Sequence, residues 1–127
     1  MRVFLVEDCA LVCERLIELI ESGGEHQVIG QAATYDQALA GIASAVPDVG
    51  IFDVTLARGN GIDALAEAKR RRPDLVGIVL SNHVTPQHAK ASARAGAAFF
   101  LDKSTEFERI TEFLSLLAAN AAKKVMQ

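Results

Sequence analysis

The stretch that most limits how this chain can fold is VGIFD, residues 49–53, four apolar or glycine positions that end on an aspartate. The run is short and lacks the polar alternation of a strand with one wet face, so it reads as a β-strand covered on both sides. Pro47 and Asp48 precede it, and a glycine-bearing loop, TLARGNG, follows. RVFLV (2–6), DLVGIVLSN (74–82) and AAFFL (97–101) read in the same way, and HQVIGQAA (26–33) reads as a further strand. Helical patterns separate them. CALVCERLIELIES (9–22) carries Val12, Leu16, Leu19 and Ile20 at helical spacing and stops at Gly23 and Gly24; Thr34 is placed to cap YDQALAGIASA. IDALAEAKRRR (62–72) runs to Pro73, and TPQHAKASARAG opens with a cap and a first-turn proline. A last helix is expected to start near Thr105, which forms a capping-box pattern with Glu108, and to bury Phe107, Ile110, Leu114, Leu117 and Ala121.

Five strands alternating with five helices imply a doubly wound α/β fold, (βα)5, with helices on both faces of a parallel sheet. A length of 127 residues suits one domain, 1–127, with a core of its own. In such sheets a ligand crevice lies beyond the carboxyl ends of the strands, where the strand order reverses. Those ends carry Glu7 and Asp8 after strand one, Asp53 after strand three, Ser81 after strand four and Lys103 after strand five. If the order is 2-1-3-4-5, strands one and three are neighbours and three carboxylates converge, which like charges do not do without a compensating cation. An oxygen-rich cluster of this kind suits a hard divalent ion, Mg²⁺ above all, with phosphate oxygens completing its shell. Lys103 adds a compact positive charge and Ser81 a hydroxyl donor. The set is suited to a phosphoryl group.

VEDC, FDVTLARGNGID, VLSN and GAAFFLDK together resemble the signature regions of the bacterial response-regulator receiver domain, a CheY-like, flavodoxin-like fold, over essentially the whole chain. The resemblance implies that Asp53 accepts a phosphoryl group from a sensor histidine kinase or histidine phosphotransfer protein, and that the protein is a signalling switch rather than an enzyme with other substrates. It implies Asp8, Asp53 and the Thr55 backbone carbonyl on Mg²⁺, with Glu7 acting through water. It implies that Ser81 moves toward the phosphoryl group, that Phe100 follows from an exposed to a buried rotamer, and that the surface of helix four, strand five and helix five changes for a downstream partner or output domain. Three positions depart from the family pattern: Ala57 and Ser104 where proline is common, and Asn82 where alanine or glycine is usual. Asn82 is expected to crowd the phosphorylation site.

Two other readings compete with the switch. Asp53-Val54-Thr55 resembles, weakly, the nucleophile loop of haloacid-dehalogenase-like phosphohydrolases, which need an aspartate as general acid where Thr55 stands. A receiver-like scaffold that never takes phosphate is the other. A formal charge of −3 offers no field for nucleic acid, and KRRRP (69–73) reads as complement to a helix C-terminus. His26, His83 and His88 lack a shared metal-ligand spacing. MRVFLVED has no secretion-signal core and no stretch of about 18 apolar residues could span a bilayer, so a cytoplasmic location and no membrane contact are expected. Cys9, Cys13 and Ile17 read as a second apolar seam beside the core stripe of helix one, suited to docking the kinase's helices as in the family. Phe113 and Leu116 point to a partner or homodimer surface on helix five.

Overall fold

The computed structural model describes residues 1–126, with side-chain burial through Lys123. Its five strands are β1 (Arg2–Val6), β2 (Gln27–Ala32), β3 (Val49–Asp53), β4 (Val76–Ser81) and β5 (Ala97–Asp102). They alternate with α1 (Ala10–Glu21), α2 (Tyr35–Ala45), α3 (Gly61–Arg71), α4 (Pro86–Arg94) and α5 (Ile110–Met126), the last entered through a short 3₁₀ turn, Phe107–Arg109. All pairings are parallel and the strand order is β2-β1-β3-β4-β5, a flavodoxin-like doubly wound sheet. β3 is central and buried at every position, as its unbroken apolar pattern requires.

The two sides of the sheet hold separate cores. Phe4, Val6, Phe52, Val79 and, half-buried, Phe100 pack under α2, α3 and α4. Val3, Leu5, Val49, Ile51, Ile78, Leu80 and Leu101 pack under α1 and α5. Because side chains alternate along a strand, this parity decides which way each residue at a strand's end turns.

Caps follow the sequence at Thr34, whose hydroxyl accepts from Gln37 N–H at 3.2 Å, and at Thr85, which accepts from His88 N–H at 3.1 Å. α3 starts one residue early, at Gly61, with Asn60 as its cap accepting from Asp63 N–H at 2.8 Å. The basic run at its end is spent locally. Lys69 donates to the Pro73 and Leu75 carbonyls, Arg72 to the Pro47 carbonyl, and Arg70 and Arg71 to Glu67.

Three expectations fail. The Thr105–Glu108 capping box does not form: Thr105 and Glu106 N–H donate to the Asp102 carbonyl, and Glu106 Oε1 accepts from Asp102 N–H at 2.9 Å, so a 3₁₀ turn leads into the helix instead. Ala121 is exposed, while Ile110 and Leu114 are fully buried. The seam on α1 is not a seam. Cys13 is 5% exposed and shares the buried face with Leu16 and Ile20, whereas Cys9 is exposed. Burial, then the Glu7 charge, pushes the Cys13 thiol up to about 11, which leaves it an inert core group. On α5, Phe113 is half-buried with its ring centroid 4.8 Å from that of Phe99, while Leu116 stands exposed.

Candidate functional site

β1 and β3 are adjacent in register, Val6 beside Phe52, so the residues just past their ends meet. Glu7 continues the parity of Leu5, Asp53 that of Ile51, and Lys103 that of Leu101, which turns all three toward the α1/α5 side. There Lys103 Nζ donates to Glu7 Oε1 at 2.5 Å and to Asp53 Oδ2 at 2.9 Å. Carboxylate oxygens of Glu7, Asp8 and Asp53 lie within 4.8 Å of one another. Glu7 and Asp53 are buried and Asp8 is exposed. They line an open cleft of about 670 Å³ with Thr55, Asn82 and Lys103, and Cys9, Arg15 and Phe107 also border it.

The electrostatics are strained in one direction, since three acids face one ammonium. Burial, and then the hydrogen-bonded Asp53 carboxyl, raise the Glu7 carboxyl to about 7 although Lys103 pulls the other way. Burial alone would lower the Lys103 ammonium, but its bonds to Glu7 and Asp53 outweigh that and raise it. The pocket holds more acidity than its lysine neutralises. Two ligands on opposite sides of a Mg²⁺ ion stand about 4.2 Å apart, at ~2.1 Å per bond, so modest side-chain rotations bring these oxygens onto one ion. The all-oxygen donor set and the surplus acid fit a hard divalent cation.

The loop after β3 is pinned from below. Gly61 N–H donates to the Val54 carbonyl at 3.0 Å, and a Cβ on Gly61 would lie 1.9 Å from the Asp53 carbonyl oxygen. Gly61 therefore sets the height of Asp53 in the pocket. Its signal was present in GNG: read against nucleotide-binding fingerprints the motif means little, yet a glycine opening a helix directly after the reactive loop is a close-approach position. Thr55 is exposed and its N–H approaches Asp53 Oδ1 at 3.4 Å. It supplies no carboxylic acid for phosphohydrolase chemistry. Ser104 N–H, which a proline would lack, and Ser104 Oγ donate to Asp102 Oδ1 at 2.9 and 2.6 Å, fixing the turn that carries Lys103. Asn82 is exposed and lines the cleft.

Ser81 is at the expected strand end, but its side chain is elsewhere. It shares the parity of Val79, so it faces the α4 side of the sheet. Its Oγ donates to the His83 carbonyl at 2.8 Å and accepts from the His83 N–H at 3.0 Å. Phe100 is on that same side, half-buried against the same core as Ala91 of α4 and Ala95 just past its end. It is neither fully exposed nor in the core.

The fold and this pocket define a class: a flavodoxin-like α/β domain with acid groups and a lysine gathered at the carboxyl edge of its sheet. The model of the response regulator receiver domain matches residues 3–115, and the chain belongs to that family, the receiver domains of two-component signalling. It is 33% identical over 103 residues to the DNA-binding transcriptional activator DevR/DosR of Mycobacterium tuberculosis, a match covering 81% of this chain and 48% of that protein. It is 30% identical over 114 residues to the chemotaxis protein CheY of Thermotoga maritima, covering 90% of this chain and 94% of the other. The chain thus spans about half the length of the first relative and nearly all of the second. In three dimensions it is similar to a CheY-like receiver domain protein of Methanospirillum hungatei, with a TM-score of 0.87 at 22% identity over 97% of each chain, a likeness of fold. Among the described residues no helix is long and apolar enough to cross a membrane.

Proposed function

We propose that this domain is a phosphorylation-activated switch in which Asp53 is the acceptor. The observation that carries the reading is Lys103 bridging the buried Glu7 and Asp53 carboxylates, with Asp8 completing an acidic cluster beside them. An Asp53 carboxylate oxygen attacks the phosphorus of a phosphohistidine on a sensor kinase or phosphotransfer protein. The new P–O bond forms as the P–N bond breaks, and its electron pair leaves with the imidazole. Lys103, bonded to Asp53, would meet charge on the transferring oxygens, and Thr55 N–H borders the attacking carboxylate. Asp8, Asp53 and the Thr55 carbonyl are the groups that would hold Mg²⁺, with Glu7 reaching it through water; when bound, the ion neutralises charge developing on the phosphoryl oxygens. Loss of phosphate is attack by water on the same phosphorus, with the Asp53 carboxylate leaving.

The switch is the one the family resemblance implies, with Ser81 and Phe100 on one side of the sheet. Ser81 must leave the His83 backbone to reach the acyl phosphate, and Phe100, on the same side of the sheet, fills the space vacated beside α4. The face of α4, β5 and α5 changes with it. The DNA-binding relative and the free-standing chemotaxis relative support two forms of output, an attached domain or a separate partner, both served from the cytoplasm.

The test is labelling of the whole chain by acetyl phosphate with Mg²⁺. The expected product carries one phosphoryl group on Asp53, and Asp53→Asn carries none. Labelling of both proteins alike, or of neither, would overturn the reading; steady turnover of phosphate esters would return the phosphohydrolase.

A further inference from the structure

The Ser81 hydroxyl is held away from Asp53 by a knot of bonds that reaches α4. Besides Ser81 Oγ, the His83 carbonyl accepts from Thr85 N–H at 3.1 Å and from His88 Nδ1, also at 3.1 Å. To meet a carbonyl, His88 must carry its proton on Nδ1. His88 is itself placed by the first turn of α4, where its N–H donates to Thr85 Oγ1 at 3.1 Å. Three donors therefore converge on one oxygen of the β4–α4 turn, and one of them is a side chain with no other part in the phosphoryl chemistry.

We propose that His88 is a positioning residue that latches Ser81 in its outward rotamer and so sets how readily the switch turns on. The inference rests on the roles given above to Asp53 and Ser81. When Ser81 turns toward the phosphoryl group it gives up both of its bonds to His83. The His88 bond fixes the His83 carbonyl at the point where the outward Ser81 hydroxyl meets it, and so favours the arrangement in which Ser81 points away from Asp53. A residue that favours one of two states biases the equilibrium between them.

Beryllium trifluoride, standing for the phosphoryl group on Asp53, measures that bias when titrated into the whole chain at saturating Mg²⁺. His88→Leu removes the donor and is expected to bind the fluoride about fivefold more tightly, the factor that one ordinary hydrogen bond supplies. Acetyl phosphate labelling should quicken in step. His88→Asn, whose amide N–H stands close to Nδ1, should behave as wild type, and Mg²⁺ affinity without fluoride should be the same in all three. In a Ser81→Ala background, where there is no hydroxyl to hold, His88→Leu should have no effect. Equal fluoride affinity in wild type and His88→Leu, an Asn variant that behaves like the Leu variant, or an undiminished effect without Ser81 would each overturn the latch. If the Leu variant does not fold, His88→Ala carries the same expectations. Failure of wild type to bind fluoride at all would instead overturn the role of Asp53, and the latch with it.

Discussion

Single residues in the pocket are held by opposing charges, and Glu7 shows how. Burial and the neighbouring Asp53 raise its carboxyl to about 7, so keeping it ionised costs the resting protein free energy. Glu7→Gln removes that cost while leaving Lys103 its bond to Asp53. We expect the variant to unfold at no lower urea concentration than wild type, yet to bind Mg²⁺ about 10- to 100-fold more weakly, the usual loss when a group supporting a metal through water is removed. Isothermal titration and urea melts check the two halves separately. Asn82 acts by volume: it lines the cleft beside the acids, so Asn82→Ala should speed both acetyl phosphate labelling and loss of phosphate, read by timed quench. Unchanged rates would show that the side chain does not obstruct the site.

At the scale of elements, the start of α3 presses on the reactive loop. Alanine ordinarily favours a helix over glycine by about 1 kcal/mol. At Gly61 that gain is overcome, because the added Cβ would meet backbone 1.9 Å away at Asp53 O and neither group can step aside. Gly61→Ala should lose about 1–3 kcal/mol of stability net, as overpacking does, and should slow labelling of Asp53 by moving its main chain; chemical denaturation and the labelling rate measure both. The same scale explains where helix starts were legible. Thr34 and Thr85 cap as their positions suggest, since a hydroxyl just before an apolar pattern needs only local geometry. Thr105 had the right spacing and failed, because the chain leaving β5 is already tied down by Asp102 and Glu106, a contact that no local pattern announces.

Across the whole molecule, the N-terminal edge of the sheet carries a pH-sensitive contact far from the pocket. His26 is buried, its Nδ1 3.1 Å from the Met1 ammonium and its Nε2 3.4 Å from Ser115 Oγ on α5, with Glu25 at 3.9 Å. Burial, then the Met1 charge, lower its pKa below the usual 6.5, and Glu25 opposes them. Below about 6.5 the unfolded chain therefore binds a proton at His26 that the folded chain resists, so stability rises with pH and falls as acid is added. Measured against His26→Gln, which shares the opposing trend from Glu7, the urea midpoint of wild type should drop between pH 7.5 and 5.5. A pH dependence identical in the two proteins would remove His26 from the account.

The order of elements, the bounds of β3 and the gathering of Glu7, Asp53 and Lys103 at one edge were written in the amino-acid sequence, because each follows from a period. Unbroken apolar runs specify strands buried on both faces, crossover handedness limits their order, and two-residue alternation carries a strand's facing into the residue after its end. What only the tertiary structure decided were contacts between positions remote in the chain. These are the burial of Cys13 beneath α1, the tilted contact of the Phe113 ring with Phe99, the approach of Gly61 to the Asp53 carbonyl, and Ser81 turned toward His83 rather than the acids. Periodicity tells a residue which way to face, but which atom it meets there is set by the packing of elements that the local sequence does not contain.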